Sequence, residues 1–376
     1  MELVQDKIFK IFRSPGYSYM FNKQNGFFAR WGHTREDDPS FSPFGPEILD
    51  LEISAGGKCL GNCQFCYKEN GGNQAVHNMS FATFKRILDG MPKYKNIHFL
   101  TQIAFGIMNI HTNKNFLRMM IYARQCGVIP NYTTHGLDLD PNFADETAKV
   151  CGAVAVSVVQ KEKTYDAVKM LTDRGMQQVN IHFMLSEERI DEAKSIVDDI
   201  ATDPRLERMN AIVFLQYKHK NLKSPHHSVQ SLSTYHGLVD YCAIKKVRYG
   251  FDSCSFPLFA KSVEGSKYYK AMMILGEPCE STLFSSYINW QGKFFPCSFC
   301  EGVDHYGEGV SVLKCGDFLS DVWMNKKTEE FRKKILGSSE TCTGCASKQY
   351  CRSCFVYDVN ACKKELSIYP KLGSWI

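Results

Sequence analysis

Short apolar runs rich in β-branched residues recur along the first two thirds of the chain, and most of them are followed by a helical pattern of apolar positions. Such runs predict strands that are buried on both faces, as in a parallel sheet covered by helices. The predicted strands lie within residues 47–54, 96–106, 129–136, 152–160, 179–185 and 210–217. Right-handed connections between them would curl the sheet toward a barrel.

The predicted helices alternate with these strands. Ser80 is suited to cap the first helix, and Gly127 is suited to end the second. The helices are predicted within residues 80–91, 113–127, 141–152, 163–175, 186–201 and 231–246. The repeat provides fewer strand–helix units than a closed TIM barrel needs. We therefore predict an α/β fold, a partial (β/α)6 TIM-like barrel, with its chemistry at the carboxyl ends of the strands.

The N-terminal segment differs from this repeat. Residues 17–32 alternate aromatic and polar positions around Asn25-Gly26, which predicts a β-hairpin. Residues 33–46 are acidic and broken by prolines, and they are predicted to form a connecting loop. The simplest role for the hairpin is to cover one end of the barrel sheet.

Composition narrows the class of protein. The 376 residues are 44% hydrophobic and carry a formal charge of +5, which fits one large domain with a smaller one. No apolar run approaches the roughly 18 residues of a membrane span, and the N-terminus lacks a signal-peptide core. Basic residues stand in separate short groups at 218–223 and 326–335. We therefore expect a cytoplasmic protein without a membrane or nucleic-acid partner.

Cysteine is the unusual component. The chain has 16 cysteines, and a reducing cytosol disfavours disulfides, so metal binding is the better explanation. Three of them lie within residues 59–66, and nine lie between Cys279 and Cys362. The isolated Cys126, Cys151 and Cys242 are interpreted as small buried side chains.

The first cysteine group directly follows the first predicted strand. It reads Cys59-x3-Cys63-x2-Cys66, with Phe65 before the last cysteine and no fourth cysteine nearby. A structural zinc site or a rubredoxin-like site would need four ligands. The motif closely resembles the signature of the radical S-adenosylmethionine (SAM) enzymes. This resemblance implies that three thiolates hold a [4Fe–4S] cluster whose fourth iron binds SAM.

The resemblance also suggests SAM contacts on later strands. Radical SAM enzymes usually carry Gly-Gly-Glu at the end of the second strand, whereas this chain has AFGIMN, so Gly106 and Asn109 take that place. Thr134 stands where related proteins often have Thr-Asn-Gly, and Ser157 lies on the fourth strand. Asp252 is a candidate catalytic residue lining the active site. Ordinary packing or turn formation is the alternative interpretation of each of these residues.

The C-terminal cysteines are similar to the SPASM extension of radical SAM enzymes, a loop-rich, cysteine-rich domain with two auxiliary iron–sulfur clusters. By this resemblance one auxiliary cluster would use Cys342, Cys345, Cys351 and Cys362. The other would use Cys279, Cys297 and Cys354, with Cys300 or Cys315 as the fourth ligand. The set leaves one cysteine over, as a buried thiol or a hydrogen donor. Structural zinc remains an alternative, because thiolate spacing does not distinguish zinc from iron–sulfur.

The resemblance implies a radical SAM oxidoreductase that oxidises or crosslinks a peptide or protein, with an external electron donor such as flavodoxin or ferredoxin. Sulfatase maturation, dehydrogenation of a small molecule, and a noncatalytic metal-stapled binding protein are the alternatives. We expect an N-terminal extension, the barrel, a bridging region and the auxiliary-cluster domain at residues 1–46, 47–246, 247–278 and 279–376.

Overall fold

The computed structural model of the protein describes residues 1–34, 39–68, 74–303 and 305–337, with Arg352, Cys354, Val356 and Tyr357. The chain divides into two units. The first comprises residues 1–62, 68–179 and 281–332, and the second comprises residues 63–67, 180–280 and the described residues from 333 onward.

The N-terminal residues form a four-stranded antiparallel sheet in chain order. Its strands are β1 (Glu2–Gln5), β2 (Phe9–Arg13), β3 (Ser18–Asn22) and β4 (Phe28–Trp31). The predicted hairpin is confirmed as β3 and β4, with Gly26 at φ 77° in the turn between them. Strands β1 and β2 were not predicted, because most of β1 is exposed and because one buried position of β2 is the polar Lys10, which hides the alternation.

The main sheet of the first unit is built from strands that the sequence predicts. The next strands along the chain are β5 (Ile48–Glu52), β6 (Ser54–Ala55), β7 (His77–Asn78), β8 (Lys93–Tyr94), β9 (Ile97–His98), β10 (Gln102–Gly106), β11 (Ile129–Thr134) and β12 (Ala153–Ser157). Strands β12, β11, β10 and β5 pair in parallel in that order. The run predicted as one strand at 96–106 is divided into β9 and β10.

Helices α1 (Phe81–Gly90), α2 (Phe116–Gln125), α3 (Pro141–Val150) and α4 (Lys161–Thr172) follow the strands of this unit. The Ser80 hydroxyl accepts a hydrogen bond from the Thr83 N–H at 3.0 Å, which confirms it as the cap of α1. Helix α4 begins at Lys161, earlier than predicted. The helices pack on the apolar face of the sheet, where Phe105 contacts Phe84 and Phe116.

The opposite face of the sheet carries polar and small side chains. Register places Asp50 beside Ala104, and Ala104 beside Asn131. The Asn131 amide donates to the Gln102 side chain at 2.8 Å on the same face. Since alternate residues of a strand point to opposite faces, β5 turns Leu49 and Leu51 to the helices and Asp50 to the concave side.

The later part of the chain returns to this unit. The 3-10 helix is Ser298–Cys300, the π-helix is Leu319–Trp323, and the remaining elements are β16 (Ser285–Ile288), β17 (Lys293–Phe295), β18 (Val310–Ser311) and α9 (Lys326–Leu336). Strand β16 pairs in parallel with β5 and antiparallel with β17. The sequence did not predict that a C-terminal segment would extend the sheet beside its first strand.

The second unit repeats the strand–helix pattern. Strands β13 (Val179–Leu185), β14 (Ala211–Gln216) and β15 (Tyr249–Phe251) are parallel. Its helices are the 3-10 helix Glu187–Arg189, α5 (Ile190–Thr202), α6 (Leu232–Lys245), α7 (Phe256–Ser262) and α8 (Tyr269–Leu275). The last two predicted strands and the last two predicted helices are thereby confirmed.

The N-terminal sheet lies at the amino ends of β5 and β10. The Lys10 ammonium donates to the carbonyls of His98 and Leu100 at 3.2 and 2.7 Å. The Tyr19 hydroxyl donates to the Phe99 carbonyl at 2.9 Å. These residues directly precede β10, so the predicted covering role of the hairpin is confirmed at the end of the strands that does not carry the cysteines.

Candidate active site at the carboxyl ends of the strands

The cysteine loop begins at the carboxyl end of β5 and is fastened to the segment after β10. The Cys59 thiol lies 3.9 Å from the Met108 carbonyl. The Asn109 side chain accepts from the Leu60 N–H at 2.9 Å and donates to the Lys58 carbonyl at 3.1 Å. The oxygen and the NH2 group of this amide therefore both bind the backbone at the start of the loop. Asn109 thus organises the loop backbone, a role that the sequence did not predict.

His135 supports Asn109 from the end of β11. Its Nδ1 accepts from the Leu137 N–H at 3.0 Å, so the proton is on Nε2, which donates to the Asn109 oxygen at 3.0 Å. Burial lowers the pKa of His135, although Asp138 acts in the opposite direction. The ring is therefore neutral in this arrangement.

The end of the loop is held within the second unit. The Cys66 N–H donates to the Cys63 carbonyl at 3.1 Å, which closes a turn, and the Asn221 amide donates to the Cys66 carbonyl at 3.4 Å. The Arg189 guanidinium lies 5.0 Å from the centre of the Phe65 ring. Phe65 thus anchors the loop through a cation–π contact.

The other predicted SAM contacts fall into two groups. Gly106 is exposed at the end of β10, and Ser157 is half-buried on the concave face of β12. Thr134 is buried, and its hydroxyl accepts from the Gly136 N–H at 3.0 Å. The geometry leaves Gly106 and Ser157 accessible, while the Thr134 side chain closes the turn after β11. All three SAM contacts remain predictions.

Asp252 lies in the turn between β15 and α7. Its carboxylate accepts from the Gln216 N–H at 3.2 Å and from the Ser255 N–H and hydroxyl at 2.9 and 2.6 Å. Burial raises its pKa, and Lys218 acts against this shift. These bonds give Asp252 a structural role in the turn, and its catalytic role remains a prediction.

Asp50 is a functional candidate that sequence reasoning missed. Solvent reaches its side chain, yet surrounding protein raises the pKa of this carboxyl to about 7, with the nearby Cys297 acting in the same direction. The available signal was a single acidic residue interrupting the apolar strand ILDLE.

A second missed feature is the Lys68 cluster, formed by Lys68, Glu52, Glu301, Tyr287 and Asn289. The Lys68 ammonium lies 3.0 Å from the Glu52 carboxylate and also bonds to Glu301 and the Tyr287 hydroxyl. The Asn289 amide donates to Glu301 at 2.6 Å. Burial raises the pKa of Glu52, and Lys68 opposes that shift. Through Lys68 the cluster connects the chain just after Cys66 to the end of β5. It also connects this part of the chain to the hairpin of β16 and β17.

The C-terminal cysteines of the first unit, Cys297, Cys300 and Cys315, follow that hairpin in the chain. Gly292 has φ 74°, and a side chain there would meet Leu313 at 2.8 Å, so glycine is required in the turn. The thiols of Cys297 and Cys300 are 3.5 Å apart. The Cys315 thiol donates to the Val312 carbonyl at 3.0 Å.

The remaining predicted ligands divide between described and undescribed residues. In the second unit the Arg352 guanidinium donates to the Cys279 carbonyl at 3.2 Å, and Cys354 is half-buried. Cys342, Cys345, Cys351 and Cys362 lie outside the described residues. None of the described helices is both long and apolar enough to cross a membrane.

The chain matches no protein-family model and no curated protein sequence. Its fold matches Streptococcus suis SuiB bound to S-adenosylmethionine with a TM-score of 0.71 at 12% identity, over 93% of this chain and 95% of SuiB. SuiB bound to the precursor peptide SuiA gives a TM-score of 0.69 at 12% identity, over 94% and 96% of the two chains.

A second similar fold is anSMEcpe with bound AdoMet and the Cp18Cys peptide, with a TM-score of 0.58 at 14% identity over 84% of this chain and 93% of that one. SuiB and anSMEcpe are radical SAM enzymes with SPASM-type domains. The expected architecture, a partial TIM-like α/β barrel with a cysteine-rich C-terminal region, is therefore confirmed as a fold.

Proposed function

We propose that the protein is a radical SAM enzyme that oxidises or crosslinks a peptide or protein. The observation that carries the proposal is the three-cysteine loop, which follows β5 and whose first residues are bonded by Asn109. Strand carboxyl ends are where parallel α/β barrels place their chemistry. The fold shared with SuiB and anSMEcpe supports the same class.

The residues present fit an iron–sulfur cluster. Cys59, Cys63 and Cys66 supply three thiols from one short loop, and soft thiolates are the ligands that such clusters take. Because a [4Fe–4S] cluster has four irons, three cysteine ligands would leave one iron for SAM. When bound, the reduced cluster supplies the electron that splits SAM into methionine and a 5′-deoxyadenosyl radical.

The chain itself positions and shields this chemistry. Asn109 and His135 fix the backbone at the start of the loop, and Phe65 anchors its end within the second unit. Gly106 leaves room at the end of β10, and Ser157 presents a hydroxyl to the concave face. We assign Gly106 and Ser157 to the SAM site. The concave face would orient a substrate bound there and keep it from bulk water.

Two auxiliary clusters complete the proposal. Their ligands are those that the resemblance implies: Cys342, Cys345, Cys351 and Cys362 for one cluster, and Cys279, Cys297 and Cys354 for the other, with Cys300 or Cys315 as its fourth ligand. A cluster held by these cysteines would supply a place for the electron that is released when the substrate is oxidised. An external flavodoxin or ferredoxin would supply the electron that starts each turnover.

A peptide is the proposed substrate because SuiB is described with a precursor peptide and anSMEcpe with the Cp18Cys peptide. The peptide would be presented by a separate partner or recognised directly on the open side of the partial barrel. Sulfatase maturation and dehydrogenation of a small molecule would begin with the same cleavage of SAM. They are distinguished from peptide crosslinking by the modified product that forms.

The first experiment tests the cofactor. After anaerobic reconstitution and reduction, wild-type protein is expected to convert SAM to 5′-deoxyadenosine and methionine, and the combined Cys59→Ala, Cys63→Ala and Cys66→Ala variant is not. Cys151→Ala is the matched control, because this buried thiol packs against Met120. Equal cleavage in the triple variant would refute the proposal, and zinc in place of iron would favour the noncatalytic binding protein.

The second experiment tests the substrate. Peptides encoded beside the gene are incubated anaerobically with SAM and analysed by mass spectrometry. Loss of two hydrogens, with deoxyadenosine formed in proportion, is the expected result for oxidation or crosslinking. Slow deoxyadenosine formation that is the same with every peptide, without a mass change, would contradict the peptide assignment and favour a small molecule.

A further inference from the structure

Asp50 is an acidic residue in the middle of a parallel strand of the first unit. Its neighbours Leu49 and Leu51 are buried, whereas the Asp50 side chain is exposed on the concave side of the sheet. Strands of a parallel sheet usually carry an unbroken apolar sequence, because both of their faces are covered. Aspartate is also depleted in strands. Neither strand formation nor packing therefore accounts for a carboxylate at this position.

The Asp50 carboxylate has no hydrogen bond and no ion pair within the part of the chain that the structure describes. Burial raises its pKa to about 7, and Cys297 acts in the same direction. No described cation opposes that shift, whereas Lys68 does so for the nearby Glu52. A carboxylate in this state is stabilised by a cation that arrives with a ligand.

The neighbouring strands leave this carboxylate uncovered. Register places Ala104 beside Asp50, and Asn131 and Ala153 continue the same row on β11 and β12. All three neighbours are half-buried, so solvent reaches the row. The Asn131 side chain is already bonded to Gln102 and to the Ala153 N–H, each at 2.8 Å. A ligand on this face would therefore meet small side chains and the Asp50 carboxylate.

The charges around Asp50 have an excess of one sign. Tyr287 stands beside Asp50 in register, and its hydroxyl bonds to Lys68 within the Lys68 cluster. In that cluster one ammonium faces the two carboxylates of Glu52 and Glu301. Asp50 adds a third carboxylate two residues before Glu52 on β5. A surface with such an excess attracts cationic ligands and repels anionic ones.

We propose, building on the function proposed above, that Asp50 is a substrate-binding residue that recognises a basic side chain of the peptide. Its carboxylate accepts hydrogen bonds from a lysine ammonium or an arginine guanidinium that the peptide brings. This contact supplies the cation that the described residues around Asp50 do not, and it selects peptides that contain a basic residue. SAM also carries positive charge, so the experiment separates the peptide from SAM.

The first measurement needs no variant. Reconstituted wild-type protein is dialysed to equilibrium, with and without SAM, against the acetylated tripeptide amides Ala-Lys-Ala and Ala-Met-Ala, which mass spectrometry quantifies. Lysine and methionine side chains are similar in shape, so the pair isolates the charge. The lysine peptide should bind about tenfold more tightly, because a hydrogen bond to a charged group contributes at least that much affinity. Equal affinities, or no binding of either peptide, would overturn the proposal.

The variants assign the preference to one carboxylate. Asp50→Asn keeps the shape of the side chain without its charge and should abolish the preference, and Asp50→Glu should restore part of it. The matched control is Asp145→Asn, since this carboxylate is 52% exposed on α3 and pairs with Arg174. A lysine preference that persists in Asp50→Asn would refute the assignment. Should Asp50→Asn fail to fold by circular dichroism, Asp50→Ser provides the second uncharged variant.

The affinity for SAM identifies the source of the cation. The dissociation constant of SAM is measured by the same dialysis for wild-type protein and Asp50→Asn. If the variant loses affinity for SAM and keeps the preference for the lysine peptide, Asp50 serves SAM and the proposal is wrong.

The result for Asp50 is separate from the result for the proposed function. Wild-type protein that prefers the lysine peptide but leaves SAM intact would refute the radical SAM function, and Asp50 would still bind a basic side chain. Protein that cleaves SAM without any preference for the lysine peptide would support the function and overturn the assignment of Asp50.

Discussion

A lysine lies at each end of the parallel strands in the first unit, and the two lysines have different partners. At the amino end, Lys10 is completely buried, bonds to backbone carbonyls and has a pKa lowered to about 7 by burial. At the carboxyl end, Lys68 stands among the carboxylates of Glu52 and Glu301. The amino end is closed with aromatic rings and also holds the Arg30–Glu47 ion pair, with nitrogen and oxygen 2.6 Å apart, whereas the carboxyl end places Lys68 between two carboxylates near the cysteine loop.

The two ends of the strands are expected to contribute differently, the amino end to stability and the carboxyl end to activity. Aromatic packing around Phe12 depends on volume and excludes water, so this end contributes free energy of folding. The polar end contains groups that orient others: Asn109 holds a loop, and His135 holds Asn109. Changes at the amino end should alter unfolding while activity per folded molecule persists, and changes at the carboxyl end should alter activity.

The largest effect on stability is expected from Phe12→Ala. The ring is fully buried, with its centre 4.9 Å from that of Phe44 and 5.0 Å from that of Phe99, so its removal leaves a cavity. The free energy of unfolding should fall by about 3–5 kcal/mol in urea titrations. Phe27→Ala is the control, since Phe27 is 54% exposed and should change stability by less than about 0.5 kcal/mol. Equal losses in both would contradict the assignment of the core.

Lys68→Met tests the charged end. Removing the ammonium leaves Glu52 and Glu301 together without their cation, and breaking such a pair costs about 3 kcal/mol. Adding Glu52→Gln should recover part of the loss in the same titration. Lys85→Met removes an exposed helical pair with Asp89 and should change the free energy of unfolding far less, because solvent screens exposed ion pairs. A Lys68 effect as small as the Lys85 effect would show that solvent, and not Lys68, balances the carboxylates.

Asn109→Ala should affect activity more than stability. The variant loses both bonds to the cysteine loop, and residues that orient metal ligands typically contribute 10- to 100-fold, so SAM cleavage per iron should fall by about that factor. The measurement is 5′-deoxyadenosine formed per reconstituted cluster. Asn115→Ala, at the start of α2 and without a capping bond, should leave the rate unchanged. An unchanged rate in Asn109→Ala would mean that the loop is organised by other contacts.

The smallest effect is expected from pH at the amino end. Burial lowers the pKa of His98 to about 3, below its unfolded value of 6.5, so the unfolded chain binds a proton that the folded protein rejects. Stability is therefore fully present above pH 6.5 and is lost as the pH falls toward 3. Between pH 7 and pH 6 the loss is roughly 0.7 kcal/mol for such a histidine. His98→Gln should flatten this dependence, and the exposed His111→Gln should not.

Local patterns carried the prediction of the barrel. The run at 179–185 coincides with β13, because β-branched residues that are buried on both faces leave an unbroken apolar signal. Strand β16 gave no such signal: SSYI is short, and half of its residues are polar. Its place beside β5 follows from the return of the chain, which no local pattern encodes. Gly292 could be identified from its spacing to Cys297, and its conformation provides the physical reason.

The sequence by itself determined the strand–helix repeat, the hairpin around Asn25-Gly26 and the three-cysteine loop after β5, because each depends on neighbours within a few residues. Only the tertiary structure determined the Lys68 cluster, whose partners Tyr287 and Glu301 are 219 and 233 residues away from Lys68. The hydrogen bond from the Lys218 ammonium to the Cys254 sulfur spans 36 residues. Such contacts form because a charged group that is removed from water must bond to the polar groups beside it. Which groups lie beside it depends on how distant segments pack together.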